Sequence, residues 1–192
     1  MRETLNINLF GQFGCGKGTQ RDLLMKKYNL GSIETGEIIR DEIESGSELG
    51  LKFDERISQG MFISDEDIFI IVDSFFVKFP DEKGIVFDGI PRTLDQKEFF
   101  DKKVAELNRT PMNIEILIDE KTSVKRQINR REGRDDQNEE IAQKRVEKFK
   151  KMIKPVIDAY KIDGKMVTVD GEQTKEEVFS DITKLVEKHG NN

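Results

Sequence analysis

The sequence predicts an α/β fold in which a parallel sheet is flanked by helices. Three observations carry the prediction: four short apolar segments read as strands, consecutive strands are separated by enough chain for a crossover helix, and the intervening chain carries apolar residues at helical spacing. Leu5, Ile7, Leu9 and Phe10 form the first strand, which runs into a glycine cluster from Gly11 to Gly18; Leu23, Leu24 and Tyr28 then mark a helix. Ile68, Ile71, Val72, Phe75 and Phe76 fall at i, i+3, i+4, i+7 and i+8 behind Ser64, a candidate N-cap. Residues 84–88 are the second strand, and Thr93 with Gln96 has capping-box spacing at the head of the next helix. Residues 113–118 and 166–170 are the third and fourth strands. Between them Phe149, Met152, Ile153, Val156 and Tyr160 line a long helix that Pro155 is expected to bend. Thr174 with Glu177 opens a closing helix along Val178, Ile182, Leu185 and Val186, and the end of the chain, Gly190 to Asn192, is expected to fray.

A length of 192 residues makes one domain the expectation. Acidic residues outnumber basic ones 38 to 32, for a net charge of -6, which disfavours nonspecific binding to nucleic acid. Any anion site must therefore be a local concentration of cations. One Cys and one His exclude a disulfide framework and a tetrahedral zinc site within the chain, so a metal must be bound through oxygen. No apolar run approaches the roughly 18 residues of a membrane span, and Arg2 and Glu3 are not followed by a signal-peptide apolar region. A soluble, cytoplasmic protein is expected.

Two segments carry chemistry. Gly11-Gln-Phe-Gly-Cys-Gly-Lys17 matches G-x-x-x-x-G-K, with Gly18 where the common pattern has Ser or Thr. Placed between a strand and a helix, its backbone N–H groups and the positive helix end can converge on phosphate oxygens, with Lys17 as a mobile cation. Asp88, at the carboxyl end of a strand and facing this loop, suits a hydrated Mg2+. Further on, Lys121, Lys125, Arg126, Arg130, Arg131 and Arg134 stand against the single acid Glu132, a local excess of five positive charges. Arg126 and Arg130 share a helix face, Arg134 follows a helix break at Gly133, and Arg145 lies on the next helix, so guanidinium groups face each other across a short hairpin. Lys148, beyond it, is read as a bystander, and the sole histidine, His189, needs no role.

Gly16-Lys-Gly-Thr-Gln20 resembles the Gly-Lys-Gly-Thr signature of nucleoside monophosphate kinases, the adenylate kinases above all. Asp88-Gly-Ile-Pro-Arg-Thr93 resembles that family's Asp-Gly-Phe-Pro-Arg-Thr, with Ile90 for Phe. The stretch from Ser32 to Arg40 resembles Ser-Thr-Gly-Asp-Leu-Leu-Arg, residues 60–66 resemble Gly-Lys-Leu-Val-Pro/Thr-Asp-Glu with Met61 for Lys, and the arginine spacing resembles the short-lid form. Phe13 and Cys15 depart from the family's usual Pro and Ser. The resemblance implies a P-loop NTPase-type parallel sheet flanked by helices, with a helical acceptor-binding arm and a short lid. The chain 1–192 would then be a single kinase domain with a core (1–33, 64–125, 139–192), an AMP-binding arm (34–63) and a lid (126–138).

The same resemblance implies the site. ATP would be held by Gly14, Cys15, Gly16, Lys17, Gly18, Thr19, Arg126 and Arg130, and AMP by Thr35, Gly36, Arg40, Ile63, Gly89, Arg92, Gln96, Arg134 and Arg145. Lys17, Arg92, Arg130, Arg134 and Arg145 would be catalytic, Asp88 would hold Mg2+ through water, the Ile90-Pro91 bond would be cis, and no zinc is implied. Asp136 and Gln137 both remain open for the acidic role in the lid. Thr35 stands where UMP/CMP kinases usually carry Ala, so adenine is the expected acceptor base. The implied activity is reversible Mg-dependent phosphoryl transfer from ATP to AMP giving two ADP, by a monomer without nucleic-acid or membrane partners. The alternatives are a UMP/CMP or other nucleoside monophosphate kinase, and a catalytically degenerate nucleotide-binding module. A GTPase switch lacks its Asn-Lys-x-Asp segment here.

Overall fold

The computed structural model describes residues 4–58, 63–76, 83–129 and 138–189. Five parallel strands form one sheet in the order β2-β3-β1-β4-β5. They are β1 (Asn6–Phe10), β2 (Gly31–Glu34), β3 (Ile85–Asp88), β4 (Met112–Leu117) and β5 (Met166–Asp170). Four occupy the segments expected from the sequence. β2 was not expected: it is four residues long, carries one apolar side chain, Ile33, and pairs only along the sheet edge with β3. Parallel pairing demands a crossover between strands, and these are supplied by α1 (Lys17–Tyr28), the group α2 (Thr35–Ser45), α3 (Glu48–Ser58) and α4 (Asp65–Phe76), α5 (Leu94–Glu106), and the pair α6 (Glu120–Ile128) and α7 (Glu139–Lys148) continuing into α8 (Lys154–Ile162); α9 (Lys175–His189) closes the described chain.

Both sheet faces are covered, as a parallel sheet requires. On one face Ile7, Leu9, Val86, Ile114, Ile116 and Val169 pack on Leu24 of α1 and on Val178, Ile182 and Val186 of α9. On the other, Ile33, Ile85 and Phe87 meet Ile38, Phe53, Ile68, Ile71, Val72, Phe76, Phe100 and Val104 from α2 to α5. Of the expected apolar stripe on α4, the side chain of Phe75 lies outside the described set, as do residues 190–192. A smaller cluster joins Phe10 to Phe149, Val156, Ile157 and Tyr160. The expected caps are present: the Asp67 N–H donates to Ser64 Oγ (3.2 Å), the Gln96 N–H to Thr93 Oγ1 (3.1 Å), and Thr174 and Glu177 exchange reciprocal bonds of 3.0 and 3.3 Å.

Pro155 acts differently from a simple bend. The chain leaves α7 through a π-helical turn, Phe149–Ile153, in which the Lys154 N–H reaches back five residues to the Phe149 carbonyl, and Pro155 then lies in the first turn of α8. Proline has no N–H to give to the carbonyl four residues earlier, and the widened turn followed by a new helix start accommodates that loss. Phe100 is 1% exposed and meets the Phe87 ring edge-on at 5.0 Å. Phe100→Ala is expected to cost about 3–5 kcal/mol, read as a lower urea midpoint with an unchanged slope.

Candidate active site

A cavity of about 600 Å³ opens at the carboxyl ends of β1, β2 and β3. This is where the strand order reverses: the chain moves from β1 outward to β2, returns through β3, and then crosses to β4 on the other side. One wall is the loop between β1 and α1. Gly16, at φ +99°, holds the left-handed conformation that turns the loop into α1. That helix begins with no side-chain cap and no acidic residue in its first turn, so its leading N–H groups face the cavity with the positive end of the helix. Lys17 Nζ donates to the carbonyls of Gly11 (2.9 Å) and Gln12 (3.3 Å) and lies 3.7 Å from Cys15 Sγ. Cys15 itself is 4% exposed and belongs to the core beneath the loop.

The opposite wall is the turn after β3. Asp88 is nearly buried and lines the cavity. Gly89 follows at φ +88°, where a Cβ would lie 2.7 Å from Arg92 Nη2 and 2.8 Å from Thr35 Oγ1, so glycine lets both side chains close over the turn. The Gly89 carbonyl accepts from Arg92 Nε and from Thr35 Oγ1 at 2.8 and 2.9 Å. The Ile90-Pro91 bond is cis. Desolvation holds the Arg92 guanidinium below its ordinary pKa, with Asp88 opposing the shift.

Gly14, Gly16, Lys17, Gly18, Thr19, Gly36, Arg40, Asp88, Gly89, Arg92, Arg126 and Arg145 all line this one cavity. Arg126 donates to the Gly171 carbonyl at 2.9 Å, and the Arg145 guanidinium lies 5.4 Å from the centre of the Phe13 ring. Four predicted residues are placed otherwise. Cys15 and Thr35 are buried beside the cavity, and Ile63 packs against the core of α2 to α5. Gln96 is buried with its amide engaged: Oε1 accepts from the Arg92 N–H (2.8 Å) and Nε2 donates to Asp65 Oδ1 (2.6 Å). Arg130, Arg131, Arg134, Asp136 and Gln137 lie outside the described residues.

Other residues reach the site without having been singled out. Arg21 and Glu34 line the cavity. Arg21 stands four residues after Lys17 on α1, a spacing that puts both on one helix face and that reading the sequence could have used. Lys148 does not line the cavity but is half-buried near two of its guanidinium groups: desolvation, then the charges of Arg92 and Arg145, pull its ammonium down to about 8. Among the described residues no group of three or more His, Cys, Asp or Glu side chains forms a metal cluster, and no helix is long and apolar enough to cross a membrane.

The family model described as adenylate kinase matches residues 9–165 of the chain. An adenylate kinase of Bacteroides thetaiotaomicron is 38% identical over 187 residues, covering 96% of this chain and 99% of the relative; one of Phocaeicola vulgatus matches to the same extent. A more distant adenylate kinase, of Alkaliphilus oremlandii, is 32% identical with 93% and 96% covered. Since the matched region contains the loop from Gly11 to Lys17, the Asp88 turn and the arginine-bearing helices that together enclose the cavity, the chain belongs to the adenylate kinase family.

Proposed function

We propose that this cavity transfers a phosphoryl group reversibly from ATP to AMP, giving two ADP. One observation carries the reading: in a chain of net charge -6, Lys17, Arg40, Arg92, Arg126 and Arg145 converge with a phosphate-binding loop on a single cavity. Phosphoryl transfer asks a protein for alignment and for stabilisation of charge on the transferred oxygens, more than for an acid or a base. These residues supply both. The loop N–H groups and Lys17 hold the donor phosphates; Lys17 exchanges the Gly11 and Gln12 carbonyls for phosphate oxygens without leaving the loop. Arg92, tethered by Nε to Gly89, has its terminal nitrogens for the acceptor phosphate, and Arg40 and Gly36 of α2 complete that side.

Arg145, with Arg130 and Arg134 of the lid segment, stabilises the group in transit, while Arg126 covers the donor base. The arm (34–63) and lid (126–138) close over the core (1–33, 64–125, 139–192), excluding water that would compete with the acceptor. Thr35 and Gln96 read adenine, exchanging their bonds to Gly89, Arg92 and Asp65 for bonds to the base. Asp88 fits a cation: it is a nearly buried carboxylate lining a cavity of phosphate-binding groups, and a lone carboxylate suits Mg2+, which keeps most of its waters. Bound there, Mg2+ would screen the phosphate oxygens. The protein acts as a cytoplasmic monomer.

A coupled assay with ATP and each nucleoside monophosphate tests the acceptor: AMP is expected to react far faster than UMP, CMP or GMP, and an equal rate with UMP would sink the assignment in favour of a UMP/CMP kinase. Arg92→Ala is expected to lower kcat by about a hundred- to thousandfold, the usual loss for one preorganised charge-stabilising donor, with circular dichroism checking that the variant folds. Lys148 generates a pH prediction. Its ammonium loses its proton near pH 8, so the positive charge beside Arg92 and Arg145 falls as pH rises through that value, and phosphates bound to those arginines would favour the protonated form. Calorimetry at pH 8 in buffers of different ionisation enthalpy should therefore detect proton uptake on ATP binding, and Lys148→Met should abolish it.

A further inference from the structure

Besides Asp88 and Asp22, a third acidic residue, Glu34, lines this cavity built for anions. Glu34 ends β2, in register with Asp88 at the end of β3, and its carboxylate lines the cavity. It bridges two arginines. Oε1 lies 3.4 Å from Arg40 Nη2, and Oε2 meets Arg21 Nη1. The two ends of the bridge are unequal. Arg21 is 14% exposed and also contacts Asp22 Oδ1 at 2.8 Å and Glu37 Oε2 at 3.5 Å, so three carboxylates hold it in place on α1. Arg40 is 47% exposed, its contact with Glu34 is at the long end of hydrogen-bond range, and it rises from α2 toward the acceptor side.

We propose that Glu34 sets the affinity of the acceptor site: its carboxylate stands in for the acceptor phosphate on Arg40, and Arg21 is the positioning residue that retains Glu34 when a phosphate takes Arg40 over. The inference rests on the reading of Arg40 as an acceptor-phosphate ligand. A phosphate dianion carries more charge and more acceptor oxygens than a carboxylate, so it wins the guanidinium in exchange. The exchange leaves Glu34 only 18% exposed next to the arriving anion, a position that would be repulsive for an unpaired carboxylate; Arg21 neutralises it there. Glu34 thus weakens acceptor binding by an amount equal to its own hold on Arg40. Arg21 limits that penalty by sharing the carboxylate. Donor phosphates, held by the loop and Lys17, do not meet this competition.

The test measures KM for AMP at saturating ATP, KM for ATP at saturating AMP, and melting temperature, for the full chain and for Glu34→Gln, Arg21→Met, Glu34→Gln/Arg21→Met and Arg40→Ala. Glu34→Gln is expected to lower KM for AMP by about fivefold to tenfold, the scale of one ordinary net hydrogen bond, while KM for ATP moves far less. Arg21→Met is expected to raise KM for AMP by a similar factor, because Glu34 then rests on Arg40 alone. In the double variant the Arg21 effect should vanish, since there is no carboxylate left to share; a purely structural role for Arg21 would persist there and refute the proposal. An unchanged or raised KM for AMP in Glu34→Gln also overturns it, and this variant decides the matter even if Arg21→Met fails to fold. Arg40→Ala separates the two levels. If it leaves KM for AMP unchanged, the reading of the acceptor site falls and this inference with it; if it raises KM while Glu34→Gln does not lower it, only the inference falls.

Discussion

Everything at the site depends on the parallel pairing of β3 between β1 and β2. Leu9 and Glu34 are both register partners of Asp88, so the carboxyl ends of three strands come level on one edge of the sheet. An antiparallel β3 would have put Asp88, Gly89 and Arg92 at the far end, away from Lys17. Parallel register is tolerable only because β3 is fully buried, with Ile85, Val86 and Phe87 covered by helices on both faces. The T-shaped contact of Phe87 with Phe100 and the packing of Ile33 against α2 to α5 are therefore the scaffold of a phosphate site as much as they are a core.

Charge is the second constraint. The chain is acidic overall, yet it gathers cations in one partly desolvated space; desolvation lowers the proton affinity of Arg92, and desolvation together with the charges of Arg92 and Arg145 lowers that of Lys148. Such a cluster is destabilising by itself, and the protein tempers it with internal acceptors: the Gly11 and Gln12 carbonyls for Lys17, the Gly89 carbonyl for Arg92, Glu34 for Arg21 and Arg40. These partners orient the cations in advance. A site prepared in this way stabilises developing negative charge without the reorganisation that water would require.

The loop from Gly11 to Lys17, the strands around it, and the Asp88 turn were legible because their chemistry is local: glycine spacing, one lysine and one strand end specify a phosphate cradle within a few residues. Capping by Ser64, Thr93 and Thr174 was legible for the same reason, since a cap spans one helical turn. β2 was not, because Gly31 to Glu34 has a single apolar side chain and owes its strand geometry to its β3 neighbour. The turn after Lys148 was half legible: Pro155 announced a disturbance, but spacing along the chain did not show that a π-helical turn, with Phe149 in the cluster around Phe10, would accommodate it.

By itself, then, the sequence showed where most of the chain alternates between strand and helix, where a glycine loop ends in a lysine, and that any anion site had to be a local concentration of cations within an acidic chain. Tertiary structure decided which side chains meet. Arg21 and Glu34 are thirteen positions apart, and Arg92 and Lys148 belong to segments separated by β4 and two helices. The state of a buried charge depends on who stands beside it in space and on how much water is left, and neither quantity is written in spacing along the chain. Gln96 shows the same division in one residue: its capping position and the bond from the Arg92 N–H to its Oε1 are set by the turn it sits in, while the bond from its Nε2 to Asp65 awaited the packing of α4 against α5.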